Sequence, residues 1–194
     1  MSENGAIREK WDRIYALAGD GMPEAAEVLA EHLHLLPDRG DALDLACGLG
    51  GNALCLARQG LRTRAWDISP VAIKRISTMA ERMGLPIDAA VCDVEAESIP
   101  KDSFGVVVVS RFLSRDIAFG IAESLKTGGL LFYQTYTREK LSAAGPSNPD
   151  YLLAPNELIR LFPDLRLVYY REEERCGDLA RGFRDEACFI GQKP

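Results

Sequence analysis

Residues Phe104–Ser110 read FGVVVVS. A strand built from this run is apolar and β-branched on both faces, so both faces must be covered. Such strands belong to parallel sheets with helices above and below. A parallel pair needs a crossover connection, usually a helix, and the chain supplies one at each step. Ala42–Cys47 is a short apolar run that enters the glycine turn Gly48-Leu49-Gly50-Gly51, and Asn52–Arg58 follows as a helix closed by Gly60. Arg62–Trp66 reads as a strand. Pro70–Met83 reads as a helix, with Ser69 as N-cap and Gly84 beyond its end. Ile87–Val91 is a strand, Asp116–Leu125 a helix, and Gly128-Gly129 turns into a strand over Leu130–Tyr136. Strands alternating with short helices define βαβ units.

The two ends differ from this pattern. Arg8–Leu17 predicts a short helix ending at Gly19. Pro23 starts a second one, with Ala25, Val28, Leu29, His32, Leu33 and Leu36 at helical spacing. After a helix at Pro155–Phe162, Leu165–Arg171 and Ala187–Ile190 read as strands with no helix between them, which suggests a terminal hairpin beside the parallel sheet. The polar stretch Lys140–Leu153 is a long connection, and long loops in compact domains are often lids.

At 194 residues the chain has the length of roughly one domain. Lys+Arg 23 against Asp+Glu 29 gives a net charge of −6, which argues against a nucleic-acid backbone as main ligand. The five cysteines form no CxxC pair, so neither a disulfide framework nor a cysteine zinc site is expected. No metal site is expected, and reduced thiols suit a cytoplasmic protein. MSENGAIREKWDR has no apolar core of a signal peptide, and the longest apolar run is too short to span a bilayer.

Open parallel sheets bind ligands beyond the carboxyl ends of their strands. That edge receives the turn after the first strand, Asp67 after the second, Cys92-Asp93-Val94 after the third and Ser110–Arg115 after the fourth. Gly48 and Gly50 permit a tight turn and close approach of a ligand, and the amides opening the next helix should point into the site. A carboxylate at Asp67 can accept both hydroxyl hydrogens of a ribose, so a nucleoside-containing cofactor follows. Gly48-x-Gly50-x-x-Ala53 also satisfies the dinucleotide fingerprint, and Tyr136-x-x-x-Lys140 the tyrosine–lysine pair of short-chain dehydrogenases. Both look accidental, since that class would open with TGxxxGxG and bring a suitably placed serine, and neither is present.

A more specific resemblance rests on five segments in order. Leu43-Asp44-Leu45-Ala46-Cys47-Gly48-Leu49-Gly50-Gly51-Asn52 resembles motif I of class I S-adenosylmethionine-dependent methyltransferases. Trp66-Asp67-Ile68-Ser69-Pro70-Val71-Ala72-Ile73 resembles their ribose-binding segment, and Cys92-Asp93-Val94 the acidic turn near the adenine. Phe104–Ser110 resembles the strand before the reaction centre, and Leu125-Lys126-Thr127-Gly128-Gly129 the entry to their fifth strand. Trp11-Asp12-Arg13-Ile14-Tyr15 and the segment from Pro155 to Tyr170 are similar to the small tellurite-resistance (TehB)-like branch. Gly51 stands where those relatives often carry arginine. Ser110-Arg111-Phe112-Leu113 is not the (D/N)PPY of amide-nitrogen methyltransferases, and no Pro-Cys pair of cytosine methylation follows it.

The resemblance implies a Rossmann-like α/β fold, with a mostly parallel seven-stranded sheet, helices on both faces and an antiparallel C-terminal hairpin. It implies one domain over 1–194, with N-terminal helices or a lid at 1–40, a cofactor core at 41–136, and the substrate loop, last helix and hairpin at 137–194. Asp44 and the backbone of Ala46 would face the amino group of S-adenosylmethionine and Asp67 its ribose. Asp93 would sit by the adenine, with Cys92 and Val94 lining the ring. Trp11, Gly48, Gly50, Asn52, Ile68 and Ser110 complete the expected cofactor contacts. Trp11 and Tyr15 either close over the cofactor or belong to a helix packed on the sheet. Cys47 and Cys55 are expected to be packed hydrophobes, His32 and His34 surface or capping residues, and Glu172-Glu173-Glu174 a solvated strand edge. Tyr136 is the expected substrate contact. Arg111 and Arg115, if a helix carries both, share a face that could receive a small anion. The expected function is methyl transfer to a small anionic or chalcogen-containing acceptor by a monomer or weak homodimer, without nucleic-acid or membrane partners. A non-catalytic module that senses S-adenosylmethionine or docks to a partner is the alternative.

Overall fold

The computed structural model describes residues 3–19 and 21–194. The chain forms two compact units, one through residue 98 and one from residue 99. The first contains α1 (Glu3–Leu17), α2 (Glu27–Ala30), a 3-10 turn (Leu33–Leu35), β1 (Asp41–Leu45), α3 (Gly51–Arg58), β2 (Arg62–Asp67), α4 (Pro70–Met83) and β3 (Ile87–Val91). Its strands run in the order β3-β2-β1. All pair in parallel, with Asp44 beside Ala65 and Asp67 beside Val91. Cys47, Ala53, Ala65, Ile73 and Ile76 form one packed cluster, so Cys47 is the small hydrophobe expected of it.

The second unit contains β4 (Phe104–Ser110), α5 (Ala118–Ser124), β5 (Leu125–Tyr136), a 3-10 turn (Pro149–Tyr151), α6 (Glu157–Leu161), β6 (Arg166–Arg171) and β7 (Glu186–Gln192). The order is β4-β5-β7-β6. β4 and β5 are parallel, while β7 is antiparallel to both β5 and β6. Seven strands, mostly parallel with an antiparallel end, are therefore present as expected. Val106, Val107, Val108 and Val109 are all fully buried, which is what the doubly apolar run demanded.

Among the boundaries that moved, three have a local reason. The helix expected over 25–36 breaks into α2 and the 3-10 turn. The His32 ring nitrogen Nδ1 bonds the Val28 carbonyl at 3.0 Å, while the His32 amide donates to Leu29 instead; a side chain has taken the acceptor that an α-helical amide would use. α5 starts at Ala118 and ends at Ser124, because Leu125 already belongs to β5. β5 begins five residues before Leu130 and passes through a register shift opposite Phe104 and Val106. Gly128 lies at φ +79, and a Cβ on Gly129 would come 2.8 Å from the Lys126 carbonyl oxygen, so the glycine pair forms an irregularity inside a strand rather than a turn before one. The acidic run is also not a solvated edge. Glu172 accepts from the Asn156 amide at 2.9 Å and from the Tyr170 hydroxyl, and Glu173 accepts from the Phe183 amide at 2.9 Å.

Candidate active site

β1 ends at Leu45, and the chain then turns sharply. Ala46, Gly48 and Gly50 all have positive φ, at 54°, 54° and 82°. The Cys47 amide still donates to the Trp66 carbonyl at 2.9 Å, and the Gly50 amide returns to the Cys47 carbonyl at 2.9 Å to close the turn. Space as well as φ requires glycine here. A Cβ on Gly48 would sit 3.1 Å from the Tyr15 hydroxyl, one on Gly50 2.6 Å from Ile76 Cγ1, and one on Gly51 2.0 Å from the Glu24 carbonyl oxygen. The backbone near Glu24 thus fills the place that any side chain at position 51 would occupy.

Two buried carboxylates organise this turn. Asp44 accepts from Asn52 Nδ2 at 3.2 Å and from the Ala53 amide at 2.9 Å, and Asn52 Oδ1 in turn accepts from the Ala26 amide at 2.8 Å. One of the helix amides expected to face a ligand is therefore taken by Asp44. Burial pushes the Asp44 carboxyl up to about 8 against the pull of those two bonds. Asp67 accepts from the Gly48 amide at 2.8 Å through one oxygen and from the Ser69 amide at 2.9 Å through the other. Burial again raises its pKa. Each carboxylate oxygen has about two acceptor sites, so each oxygen of Asp67 has capacity for one further donor.

Helix α1 packs on the turn. Ser69, the N-cap of α4, accepts from the Ala72 amide at 3.2 Å and donates to Asp12 on α1 at 2.5 Å. Arg75 closes the end of α1 by donating to the carbonyls of Tyr15 and Ala18, both at 2.8 Å, and of Gly19 at 2.5 Å. Trp11 stacks on Tyr15 at 5.5 Å between ring centres. Burial, with Asp67 as the next cause, drives the Tyr15 phenol above its ordinary value. Asp12 and Ser69 thus belong to the hydrogen-bonded cluster around Asp67, and Tyr15, expected either over the cofactor or on the sheet, lies against Gly48. Ser69 was legible only as a cap, and Asp12 lay in a lead-in motif without a role.

At the exit of β3, the Cys92 amide donates to the Asp67 carbonyl at 2.9 Å. Burial pushes the Cys92 thiol up to about 11. Asp93 heads a turn: its carboxylate accepts from the Glu95 amide at 3.2 Å and its carbonyl from Ala96 and Glu97. Val94 is buried and Ile68 half-buried.

In the second unit, Ser110 ends β4 half-buried. Arg111 follows at φ 52°, and its amide donates to the Gln134 carbonyl at 2.8 Å. Its Nε donates to Glu186 at 3.0 Å; the arginine side chain is 61% exposed and that of Glu186 only 9%. Gln134 Nε2 donates to the other Glu186 oxygen. Tyr136 lies against Gly145, where a Cβ would come 2.6 Å from the ring, and Lys140 Nζ stands 5.7 Å from the ring centre. Burial, then Glu186, raises the Tyr136 phenol pKa.

The paired-arginine reading is corrected. Residues 111–117 are irregular, so no helix face carries Arg111 and Arg115 together. Arg115 donates from Nε and Nη2 to Glu157 at 2.6 and 3.1 Å, and to the carbonyls of Asp150 and Leu152. Its donors hold the loop before α6, leaving no edge for a substrate anion. That loop is pinned at its start as well. Asp185 accepts from the Leu141 amide and the Ser142 hydroxyl, each at 2.5 Å, and Lys140 Nζ donates to the Ala144 and Pro146 carbonyls. No helix among the described residues is long and apolar enough to cross a membrane.

Residues 42–129 match the family described as a methyltransferase domain. With the strand orders above and the glycine turn bonded to Asp67, this makes the chain similar to class I, S-adenosylmethionine-dependent methyltransferases. Within that class the chain is similar to the probable S-adenosyl-L-methionine-dependent methyltransferase TehB of Haemophilus influenzae, being 28% identical over 137 residues, which are 67% of this chain and 47% of that one. A ubiquinone biosynthesis O-methyltransferase of Methylocella silvestris is 35% identical over 107 residues, 53% of this chain and 42% of that one. The crystal structure of TehB from Haemophilus influenzae superposes with a TM-score of 0.72 at 21% identity, covering 95% of this chain and 67% of that one; the likeness is one of fold. The chain spans less than half the length of these curated relatives.

Proposed function

We propose that this protein transfers the methyl group of S-adenosylmethionine to a small acceptor, an oxyanion, carboxylate or chalcogen nucleophile, in the cytoplasm. The observation that carries the cofactor half is Asp67: a buried carboxylate fixed by two backbone amides, each oxygen with room for one more donor. Gly48 and Gly50 keep the adjoining backbone free of side chains, and Asp44 offers a buried carboxyl group that ionises as it meets an amino group. S-adenosylmethionine, when bound, supplies a sulfonium methyl; the acceptor's lone pair forms the new bond to carbon as the carbon–sulfur electron pair stays on sulfur. An acceptor that is already anionic needs no general base, so orientation, which can supply about 7–11 kcal/mol, is the chief task of the chain. Arg111, with its guanidinium largely exposed, is the acceptor contact, and Tyr136 its neighbour.

The test is thermal unfolding with and without S-adenosylmethionine. At 100 times its dissociation constant the cofactor stabilises the fold by about 2.7 kcal/mol, a rise of roughly 5–11 °C for this length. Asp67→Ala removes charge-assisted bonds worth about 1.5–3 kcal/mol each and lowers affinity at least tenfold. A comparable rise with NAD and none with S-adenosylmethionine overturns the cofactor. Binding without release of S-adenosylhomocysteine on selenite, tellurite or carboxylate acceptors leaves the non-catalytic module as the reading.

A further inference from the structure

Arg111 is held in an unusual way. Its backbone is in the left-handed region at φ 52°, which non-glycine residues enter at a cost and which clusters at functional sites. Its side chain is fixed by Glu186, and the geometry is directional. Glu186 takes Arg111 through one oxygen and Gln134 through the other. It stands opposite Tyr136 in the β5–β7 register. The carboxylate is buried and the guanidinium exposed, so the pair is a dipole whose positive end faces outward. Glu186 holds Nε, and among the described residues no bond is made by the two Nη groups of Arg111, which form the edge that receives planar oxyanions.

We propose that Glu186 is a positioning residue for the acceptor site, fixing the guanidinium of Arg111 so that its free Nη edge presents to an oxyanion. This rests on the anionic-acceptor reading above. Glu186 acts through its reach from β7 rather than through its charge: one carboxyl group spans Arg111 and Gln134, 75 and 52 residues before it. Gln keeps that reach and an acceptor for Nε, and its NH2 can meet Gln134 once the Gln134 amide turns over to present its oxygen. Asp keeps the charge but is one methylene short of holding both partners.

The experiment compares the full chain with Glu186→Gln and Glu186→Asp, using sulfate as a non-reacting probe by calorimetry, selenite as acceptor, and S-adenosylmethionine affinity as control. The expected order is wild type, then E186Q within about threefold, then E186D at least tenfold weaker for sulfate and lower in kcat/KM on selenite, with S-adenosylmethionine affinity unchanged in all three. A role through charge gives the reverse order, and equal behaviour of all three also overturns the proposal. A purely structural role lowers Tm and cofactor binding together. Should E186D not fold, Arg111→Lys replaces it: lysine keeps the charge, lacks the Nε that Glu186 grips, and is expected to lose sulfate tenfold; unchanged binding refutes the assignment. A wild type that neither binds sulfate nor methylates selenite removes the anionic-acceptor reading and this assignment with it, whereas a wild type that responds, with E186D responding equally, removes only Glu186.

Discussion

Asp44 makes folding stability depend on pH in a direction opposite to most carboxylates. The group is completely buried, and burial lifts its pKa from an ordinary 3.8 to about 8. A carboxyl whose folded pKa lies above its unfolded one binds its proton more tightly when folded. Its contribution is therefore complete below about pH 4 and is lost as pH rises toward 8. Each pH unit between those limits costs about 1.4 kcal/mol per proton, and flattening near the folded pKa brings the loss between pH 5 and pH 8 to about 3–4 kcal/mol. That is a large part of the 5–15 kcal/mol that holds a typical domain together.

The perturbation is Asp44→Asn, which keeps the shape and cannot ionise. Asn offers one oxygen where Asp44 offered two, to Asn52 and to Ala53. The variant thus pays a constant penalty of about 1–3 kcal/mol for an unsatisfied donor. Groups distant from Asp44 titrate alike in both proteins and cancel in the difference; Asp67, which couples to Asp44, is the neighbour whose own titration the substitution alters. Urea unfolding of both proteins at pH 5, 6, 7 and 8 reads the result. The wild type should lose stability relative to the variant by about 1 kcal/mol per pH unit, with the variant the less stable at pH 5 and the gap closing or reversing by pH 8. Parallel profiles would show that Asp44 is ionised throughout and that the buried-proton argument fails.

Two further outcomes follow from the same site. If Asp44 meets the cofactor's amino group, its carboxyl ionises on binding, so calorimetry at pH 7 in two buffers of different ionisation enthalpy should report release of up to about one proton per S-adenosylmethionine, vanishing at pH 9 and in Asp44→Asn. Gly51→Ala should destabilise by at least about 1–3 kcal/mol, since its Cβ would lie 2.0 Å from the Glu24 carbonyl oxygen; unchanged urea unfolding would show that the segment at Glu24 moves aside freely.

The parts of this molecule that were legible beforehand are those whose causes lie close together in the chain. β3 and β4 fall on the expected residues. α4 starts at the Ser69 cap, which accepts the Ala72 amide three residues on, and ends at Gly84 in the left-handed region. Asp44, the glycine turn and Asp67 span 24 residues, two strands and one helix, so strand order alone brings them to one edge. The illegible parts depend on distant partners. His32 breaks its helix only because its ring finds the Val28 carbonyl in a conformation that periodicity does not encode. Asp12 matters because Ser69, 57 residues later, donates to it. The arginines mislead for the same reason: four-residue spacing argued for a shared helix face, but Glu157 and Glu186, 42 and 75 residues away, claim them separately. Charge spacing proposes a receptor for an anion, and the acid that folding brings to each arginine decides whether a binding edge survives. It survives at Arg111, where Glu186 takes Nε, and is consumed at Arg115, where Glu157 and two carbonyls take the whole fork.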